Sequence, residues 1–216
     1  MFDMDGTLLD TERVAQEAFC TACDELHVAP RMDLLLRCVG AAEPIARRII
    51  GAGYGAGLDC DAFFAAWNRH FRQLSQQTPA PLKEGAAALL DAVAGLGLPM
   101  AIATSSRTEH AVEKLRQAGL LKRFRTVIGA DQVQRPKPDP EVYLKAAAYL
   151  AVDPKACLAV EDSEYGVRAA HAAGMTVIQV PDMTQPSSDL RSLGHIILNS
   201  LKEVAAYPFS TENTHG

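Results

Sequence analysis

The spacing of apolar positions changes partway along the chain. Between residues 12 and 78 these positions recur at the three- and four-residue intervals typical of amphipathic helices. They include Val14, Ala18, Ala22, Leu26, Phe63, Phe64, Trp67, Phe71 and Leu74. This spacing predicts helices, and no strand, in the region.

From residue 98 onward, short apolar runs replace the helical spacing. They predict strands over Pro99–Thr104, Thr126–Gly129, Cys157–Glu161, Thr176–Val180 and His195–Leu198. Helical patterns over 107–118, 140–150 and 163–173 separate the runs. Strands that alternate with helices predict a parallel sheet covered on both faces, as in Rossmann-like α/β folds.

The two patterns together predict a helical insert within an α/β domain. We assign residues 1–10 and 81–216 to the α/β core and residues 11–80 to an inserted α-helical cap domain. The proline-rich segment Thr78-Pro79-Ala80-Pro81 predicts a stiff hinge between them. The glycine-rich segment 51–57 follows a helical pattern rather than a strand, which favours an inter-helix turn over a phosphate-binding loop.

Composition narrows the range of partners. The 216 residues are 48% hydrophobic and 22% charged, which is typical of a globular protein. The net charge is −5 and no basic run exceeds two residues, so we expect no binding to nucleic acid or an anionic membrane. We therefore expect a small-molecule partner, a monomer or weak dimer, and a cytoplasmic location. The odd number of cysteines, five, predicts free thiols, and the Cys20/Cys23 pair lacks further zinc ligands.

Polar side chains follow the predicted strands at the points where they end. They are Asp3 and Asp5, Thr104 and Ser105, Lys137, and Glu161 with Asp162. Ligands of open α/β sheets bind at the carboxyl ends of the strands, so we expect these groups to meet in one crevice. Carboxylates about 4 Å apart repel by about 4 kcal/mol at an effective dielectric constant of about 20, so such a cluster needs a cation. Oxygen ligands without His or Cys favour Mg²⁺, which together with a lysine indicates phosphoryl transfer.

The segment Asp3-Met4-Asp5-Gly6-Thr7-Leu8-Leu9-Asp10 resembles the first motif of the haloacid dehalogenase superfamily. Thr104, Lys137 within Arg135-Pro136-Lys137-Pro138, and Glu161-Asp162-Ser163 resemble the next three motifs, in the same order. The interval between the first two motifs is similar to that of the subgroup with a helical cap, which includes β-phosphoglucomutase and phosphoglycolate phosphatase. The resemblance covers nearly the whole chain.

The resemblance implies an Mg²⁺-dependent phosphatase acting on a small phosphomonoester such as a sugar phosphate. Asp3 would be the nucleophile that forms an aspartyl phosphate, and Asp5 the general acid and base. Thr104, Ser105 and Lys137 would bind phosphate. The implied metal ligands are Asp3, the backbone carbonyl of Asp5, Asp162, and Glu161 directly or through water. Arginines of the cap would recognise the substrate, with Arg37, Arg47, Arg69 and Arg72 as the candidates.

Two alternatives stay open. The mutases of the subgroup carry basic residues at places close to Ala15 and Glu43, and their absence here favours a phosphatase over a phosphosugar mutase. A non-enzymatic phospho-accepting switch is the second alternative, although such domains lack a second aspartate like Asp5. Only Met1 and Phe2 precede Asp3, whereas the family usually has a longer strand there, so we also expect that the natural chain starts earlier.

Overall fold

The computed structural model describes residues 1–77 and 79–208. Thr78, the first residue of the predicted hinge, lies outside these residues. The helices are α1 (Glu12–Glu25), α2 (Met32–Cys38), α3 (Glu43–Tyr54), α4 (Cys60–Gln77), α5 (Ala86–Gly95), α6 (Thr108–Gln117), α7 (Glu141–Leu150), α8 (Glu164–Ala172), α9 (Ser188–Arg191) and α10 (Leu201–Ala205). The strands are β1 (Ala101–Ala103), β2 (Thr126–Ile128), β3 (Leu158–Glu161), β4 (Thr176–Gln179) and β5 (Ile196–Ile197). The predicted α/β fold with a parallel sheet is confirmed.

The N-terminal segment joins two parts of the sheet. Strands β1 and β2 pair in parallel, and so do β3, β4 and β5. Phe2 forms parallel bridges with Ile102 of β1 and Val160 of β3. Its backbone N–H donates to Ala101 O at 2.9 Å, and the next N–H, of Asp3, donates to Val160 O at 3.0 Å. The spatial order is therefore β2, β1, the Phe2 segment, β3, β4 and β5, which places Asp3 at the middle of the sheet's carboxyl edge.

Alternate side chains of the strands enter two different cores. On one face, Ile102, Val160 and Ile178 pack with α5, α6 and α10. On the other face, Ala101, Ala159 and Val177 pack with α7 and α8. The strand period of two explains the alternation, and burial on both faces explains why the residues of β1 are all apolar.

Helices α1 to α4 have a hydrophobic core of their own. Phe19, Leu34, Ile50 and Phe63 are buried in it, and the Phe63 ring lies edge-on to Phe19 at a centroid distance of 5.5 Å. As predicted, the described residues from 12 to 77 contain no strand.

Some elements differ from the sequence predictions. The segment 51–57 is a turn only in part, because α3 continues to Tyr54 and a 3₁₀ helix then covers Gly55–Gly57. The apolar spacing does not predict α5, α9 or α10. Helix α5 has no strong polar face, and α9 and α10 are too short to show a period. No helix in the described part of the chain is both long and apolar enough to cross a membrane.

Phe63→Ala tests the separate core of α1 to α4. The Phe63 side chain is fully buried, so we expect its loss to lower the free energy of unfolding by about 3–5 kcal/mol. Trp67, the only tryptophan in the chain, lies 6.0 Å from the Phe63 ring and reports urea unfolding by fluorescence. Leu36→Ala, at a partly exposed position of α2, is the control and should cost less than about 1 kcal/mol. Equal costs for the two variants would contradict this assignment of the core.

Candidate active site

The four predicted site segments meet at the carboxyl edge of the sheet. Asp3 follows the Phe2 segment, Thr104 follows β1, and Asp162 follows β3. Lys137 reaches the same place from the loop between β2 and α7. Its Nζ atom lies 2.7 Å from Asp3 Oδ1 and 2.5 Å from Glu161 Oε1. The structure thus brings together residues that are more than 150 positions apart in the chain.

Burial makes the charges of this cluster interdependent. Lys137 is 2% exposed and Glu161 is fully buried. Burial disfavours the Lys137 ammonium, but Asp3 and Glu161 outweigh this effect and raise its pKa. Burial also raises the pKa of Asp3 well above its ordinary value, because the attraction of Lys137 only partly offsets it. The pKa of Asp162 is raised by burial and then by the charges of Asp3 and Glu161. The site therefore has an excess of carboxylates over cations.

The loop after Asp3 fixes one of these carboxylates. Gly6 has a φ of +78°, and a Cβ atom there would lie 2.4 Å from Asp162 Oδ2, so only glycine fits. The neighbouring Thr7 Oγ1 donates to Asp162 Oδ1 at 2.7 Å. The turn below the site thus also aligns the Asp162 carboxylate.

Both carboxylate oxygens of Glu161 already accept hydrogen bonds, which leaves little room for a further bond to a metal ion or substrate. Its Oε1 accepts from Lys137 and from Tyr143 Oη at 2.6 Å, and its Oε2 accepts from Ser163 Oγ at 3.2 Å. A Cβ atom on Gly166 would lie 1.9 Å from Glu161 Cδ, so α8 approaches this carboxylate closely. By contrast, the Oδ2 atoms of Asp3 and Asp162 accept no hydrogen bond from the described residues. Ligand atoms of Asp3, Glu161 and Asp162 all lie within 4.8 Å of one another.

Asp5 is held by three donors. Its Oδ1 accepts from Thr11 Oγ1 at 2.8 Å and from Lys114 Nζ at 2.7 Å, and its Oδ2 accepts from Ser106 Oγ at 2.7 Å. Burial disfavours the Asp5 carboxylate, but Lys114 and these hydrogen bonds outweigh burial and lower its pKa. The side chains of Asp5 and Asp3 therefore have different partners and opposite pKa shifts.

The two hydroxyl residues predicted to bind phosphate have different surroundings. Thr104 is 1% exposed and lines the cleft, and its Oγ1 accepts from the Ser106 backbone N–H at 3.1 Å. Ser105 Oγ donates instead to the backbone carbonyl of Gly40 at 2.8 Å, in the loop between α2 and α3. Thr104 thus donates its hydroxyl proton to no acceptor among the described residues, whereas that of Ser105 is already donated.

A cleft of about 1010 Å³ lies over Asp3 and Asp5. Its walls come from α1 to α4 on one side and from α6 on the other, and the volume is at the upper end for small-molecule sites. Of the four candidate arginines, Arg72 lines the cleft. Arg47 pairs with Glu43, and Arg69 pairs with Glu25. Arg37 is exposed and is absent from the cleft wall.

Sequence reasoning missed several side chains that contact the predicted site groups, and one of them is Thr11, which bonds Asp5. Tyr143 bonds Glu161, while Ser106 and Lys114 bond Asp5. Tyr143 lies on the apolar face of α7, where helical spacing predicts burial, and a buried tyrosine hydroxyl needs a partner. The need of a buried tyrosine hydroxyl for a partner was the one signal in the sequence that pointed to such a contact. Ser106, just before a predicted helix, and Lys114, within it, look like ordinary surface residues.

The fold and this arrangement of side chains define the class of protein. The model of the haloacid dehalogenase-like hydrolase family matches residues 1–180. The chain therefore belongs to this family, as the motifs predict, and it is a hydrolase of the phosphomonoesterase type.

Individual relatives match over most of the chain. Protein CbbY of Rhodobacter capsulatus is 35% identical over 196 residues, which cover 84% of both chains. The "phosphorylated carbohydrates phosphatase" of Thermotoga maritima is 32% identical and covers 94% of this chain and 98% of that one. Among solved structures, a putative β-phosphoglucomutase from Thermotoga maritima has a TM-score of 0.75 and 29% identity, with 95% of each chain covered.

Tyr143→Phe tests the hydrogen bonding of the buried cluster. The variant keeps the ring but leaves Glu161 without one donor, so the free energy of unfolding should fall by about 1–3 kcal/mol. Tyr149→Phe is the matched control, because Tyr149 lies on the same helix and is 64% exposed. Urea unfolding measures both variants. A Tyr143→Phe protein as stable as the control would show that the hydroxyl does not support the cluster.

Proposed function

We propose that the chain is an Mg²⁺-dependent phosphatase that hydrolyses a small phosphorylated carbohydrate or a similar metabolite through an aspartyl phosphate. The hydrogen bonding and location of Asp3 are the observation that supports this proposal most directly. Its Oδ1 accepts a hydrogen bond from Lys137 at 2.7 Å, while its Oδ2 accepts none from the described residues, and Asp3 lines the cleft. An oriented carboxylate with one free oxygen is the arrangement that a nucleophile needs. The name of the Thermotoga maritima relative supports the choice of substrate class.

The donor set fits Mg²⁺. Asp162 Oδ2 accepts no hydrogen bond from the described residues, ligand atoms of Asp3 and Asp162 lie within 4.8 Å of each other, and the excess of carboxylates over cations calls for a cation. We assign Asp3, Asp162 and the backbone carbonyl of Asp5 as the ligands. Glu161 contributes its charge and its hold on Lys137, since both its oxygens already accept hydrogen bonds. When bound, Mg²⁺ would neutralise the charge on the phosphoryl group and lower its repulsion from Asp3.

Phosphoryl transfer then uses the neighbouring side chains. An Asp3 carboxylate oxygen attacks phosphorus, and the bond between phosphorus and the leaving oxygen breaks. The Lys137 ammonium and the Thr104 hydroxyl bind the other phosphate oxygens as they gain charge. Asp5 gives a proton to the departing alkoxide, so the alcohol leaves neutral.

Hydrolysis of the aspartyl phosphate reverses the role of Asp5. The ionised carboxylate takes a proton from water, the water oxygen attacks phosphorus, and the carboxylate of Asp3 is released with inorganic phosphate. The lowered pKa of Asp5 favours the ionised form, which is the base in this second step, whereas the first step uses the protonated form.

The helical region supplies the remaining part of the proposal. We assign residues 11–80 as a cap that closes the cleft over the substrate and residues 1–10 and 81–216 as the core. The separate hydrophobic core of α1 to α4 supports this division. Arg72 and the apolar side chains of α4 would then face the substrate. The cytoplasmic location stays a prediction.

A phosphosugar mutase is the second candidate. The solved structure named as a putative β-phosphoglucomutase supports it. Ala15 and Glu43 line the cleft, however, and Glu43 is paired with Arg47, so neither offers a cation to hold a bisphosphate. Water is therefore the favoured acceptor. Membership of a hydrolase family favours an enzyme over the phospho-accepting switch.

Phosphate release from a panel of phosphomonoesters tests the proposed reaction. We expect turnover of at least one phosphorylated carbohydrate with Mg²⁺ and none with EDTA. Asp3→Asn should abolish turnover, and Asp5→Asn should lower it by about 10²- to 10⁴-fold.

Asp24→Asn is the control for these variants, since Asp24 is an exposed residue of α1, and it should keep full activity. Activity that survives in Asp3→Asn would contradict the nucleophile assignment. Conversion of β-glucose 1-phosphate to glucose 6-phosphate without phosphate release would favour the mutase.

Thermal unfolding tests the metal site without substrate. Because the pKa values of Asp3 and Asp162 are raised, these groups keep their protons to a higher pH in the folded, metal-free protein than ordinary carboxyl groups do, and metal binding at low pH must displace those protons. Stabilisation by Mg²⁺ should therefore be larger at pH 7 than at pH 5, and should reach about 2.7 kcal/mol at 100 times the Kd. Asp162→Asn should lose most of this stabilisation, while Asp24→Asn should keep it. Equal stabilisation of both variants would place the ion elsewhere.

A further inference from the structure

The ion pair between Asp5 and Lys114 enters the mechanism described above only through the pKa of Asp5. Lys114 lies on α6, outside the four motifs, and its Nζ atom is 2.7 Å from Asp5 Oδ1. The side chains are 16% and 21% exposed, so this pair is much less hydrated than a surface ion pair. Lys114 is therefore in direct contact with the carboxylate that is assigned to proton transfer.

The same ammonium contacts the helical region. Lys114 Nζ lies 4.9 Å from the centroid of the Phe71 ring, within the range of cation–π attraction. Phe71 belongs to α4 and lines the cleft, and it makes no contact with another aromatic ring among the described residues. Lys114 thus lies between a carboxylate of the core and a ring of the cap.

Two further donors bind Asp5, but neither is an ammonium group in contact with the Phe71 ring of α4. Thr11 lies at the start of α1 and Ser106 follows β1. Among the three donors of Asp5, only Lys114 combines a full charge with a contact to α4, which is one of the cap helices that line the cleft. A displacement of α4 would remove the ring from Lys114 and change how firmly Asp5 is held.

We propose that Lys114 is a positioning residue for the acid–base carboxylate of Asp5, and that Phe71 holds Lys114 in place. The position of α4 then governs how Asp5 is presented to the leaving group. This inference rests on the proposed function, because it assumes that Asp5 protonates a leaving alkoxide.

The dependence on leaving group separates positioning from a structural role. An alkyl phosphate needs a proton from Asp5 as its alkoxide departs, whereas p-nitrophenyl phosphate releases a stable phenolate without one. The kcat/KM value covers only the steps up to formation of the aspartyl phosphate, so it reports this proton transfer and not the later attack by water. We compare kcat/KM for the best alkyl ester and for p-nitrophenyl phosphate in each variant, after circular dichroism has shown that the variant is folded.

Lys114→Met should lower kcat/KM for the alkyl ester by about 10- to 100-fold and change that for p-nitrophenyl phosphate by less than about threefold. Lys114→Arg keeps the charge and should recover part of the loss. Phe71→Leu should produce a smaller fall of about two- to fivefold, again for the alkyl ester. Added to Lys114→Met, it should have no further effect. Lys202→Met is the matched control, because Lys202 pairs with Glu84 at the exposed surface, and it should change neither ester.

Other results would overturn the inference. Equal losses on both esters would show that Lys114 only supports the fold, and no loss on either would show that Asp5 does not depend on it. Additive effects of the two substitutions would remove Phe71 from the proposal. If the wild-type protein hydrolyses neither ester, the proposed function itself fails. A failure confined to the Lys114 and Phe71 variants leaves the proposed function intact.

Discussion

The Lys137 ammonium is withdrawn from water together with the carboxylates of Asp3 and Glu161, and it lies within 2.7 Å of both. Removing one partner from such a buried pair typically costs about 3–5 kcal/mol, because the remaining charge is left uncompensated. One ammonium does not balance the three acids of the cluster, since Asp162 is also buried. The fold therefore holds a site whose residual negative charge suits a cation.

The backbone around the cluster places the acidic side chains next to one another and approaches them closely. The Phe2 segment enters between β1 and β3, which places Asp3 beside the end of β3, where Asp162 begins the next loop. Gly6 and Gly166 let the backbone approach the carboxylates of Asp162 and Glu161 more closely than any side chain would allow. The proposed catalytic site and the two glycine positions thus depend on the same feature, which is the close packing of loops around buried charge.

Sequence reasoning predicts the sheet and the meeting of the motifs, because both depend on local patterns. The apolar runs mark β1 to β5, and the polar residues that end them must share one edge of a parallel sheet. Sequence reasoning does not predict which side chains outside the motifs contact the motif carboxylates. The contacts of Tyr143 and Lys114 depend on how α7 and α6 pack, and the spacing of residues along the chain does not determine that packing. For the same reason Ser105 is a phosphate ligand by pattern, whereas its hydroxyl bonds Gly40 in the structure.

Trapping the covalent intermediate tests the central claim most directly. The protein would be mixed with the best phosphomonoester and Mg²⁺, quenched in acid, and treated with borohydride, which reduces an aspartyl phosphate to homoserine. Mass spectrometry of the N-terminal peptide would then show which aspartate had reacted. The account predicts homoserine at position 3 and an unmodified Asp5. Homoserine at position 5, or none at either position during active turnover, would contradict it.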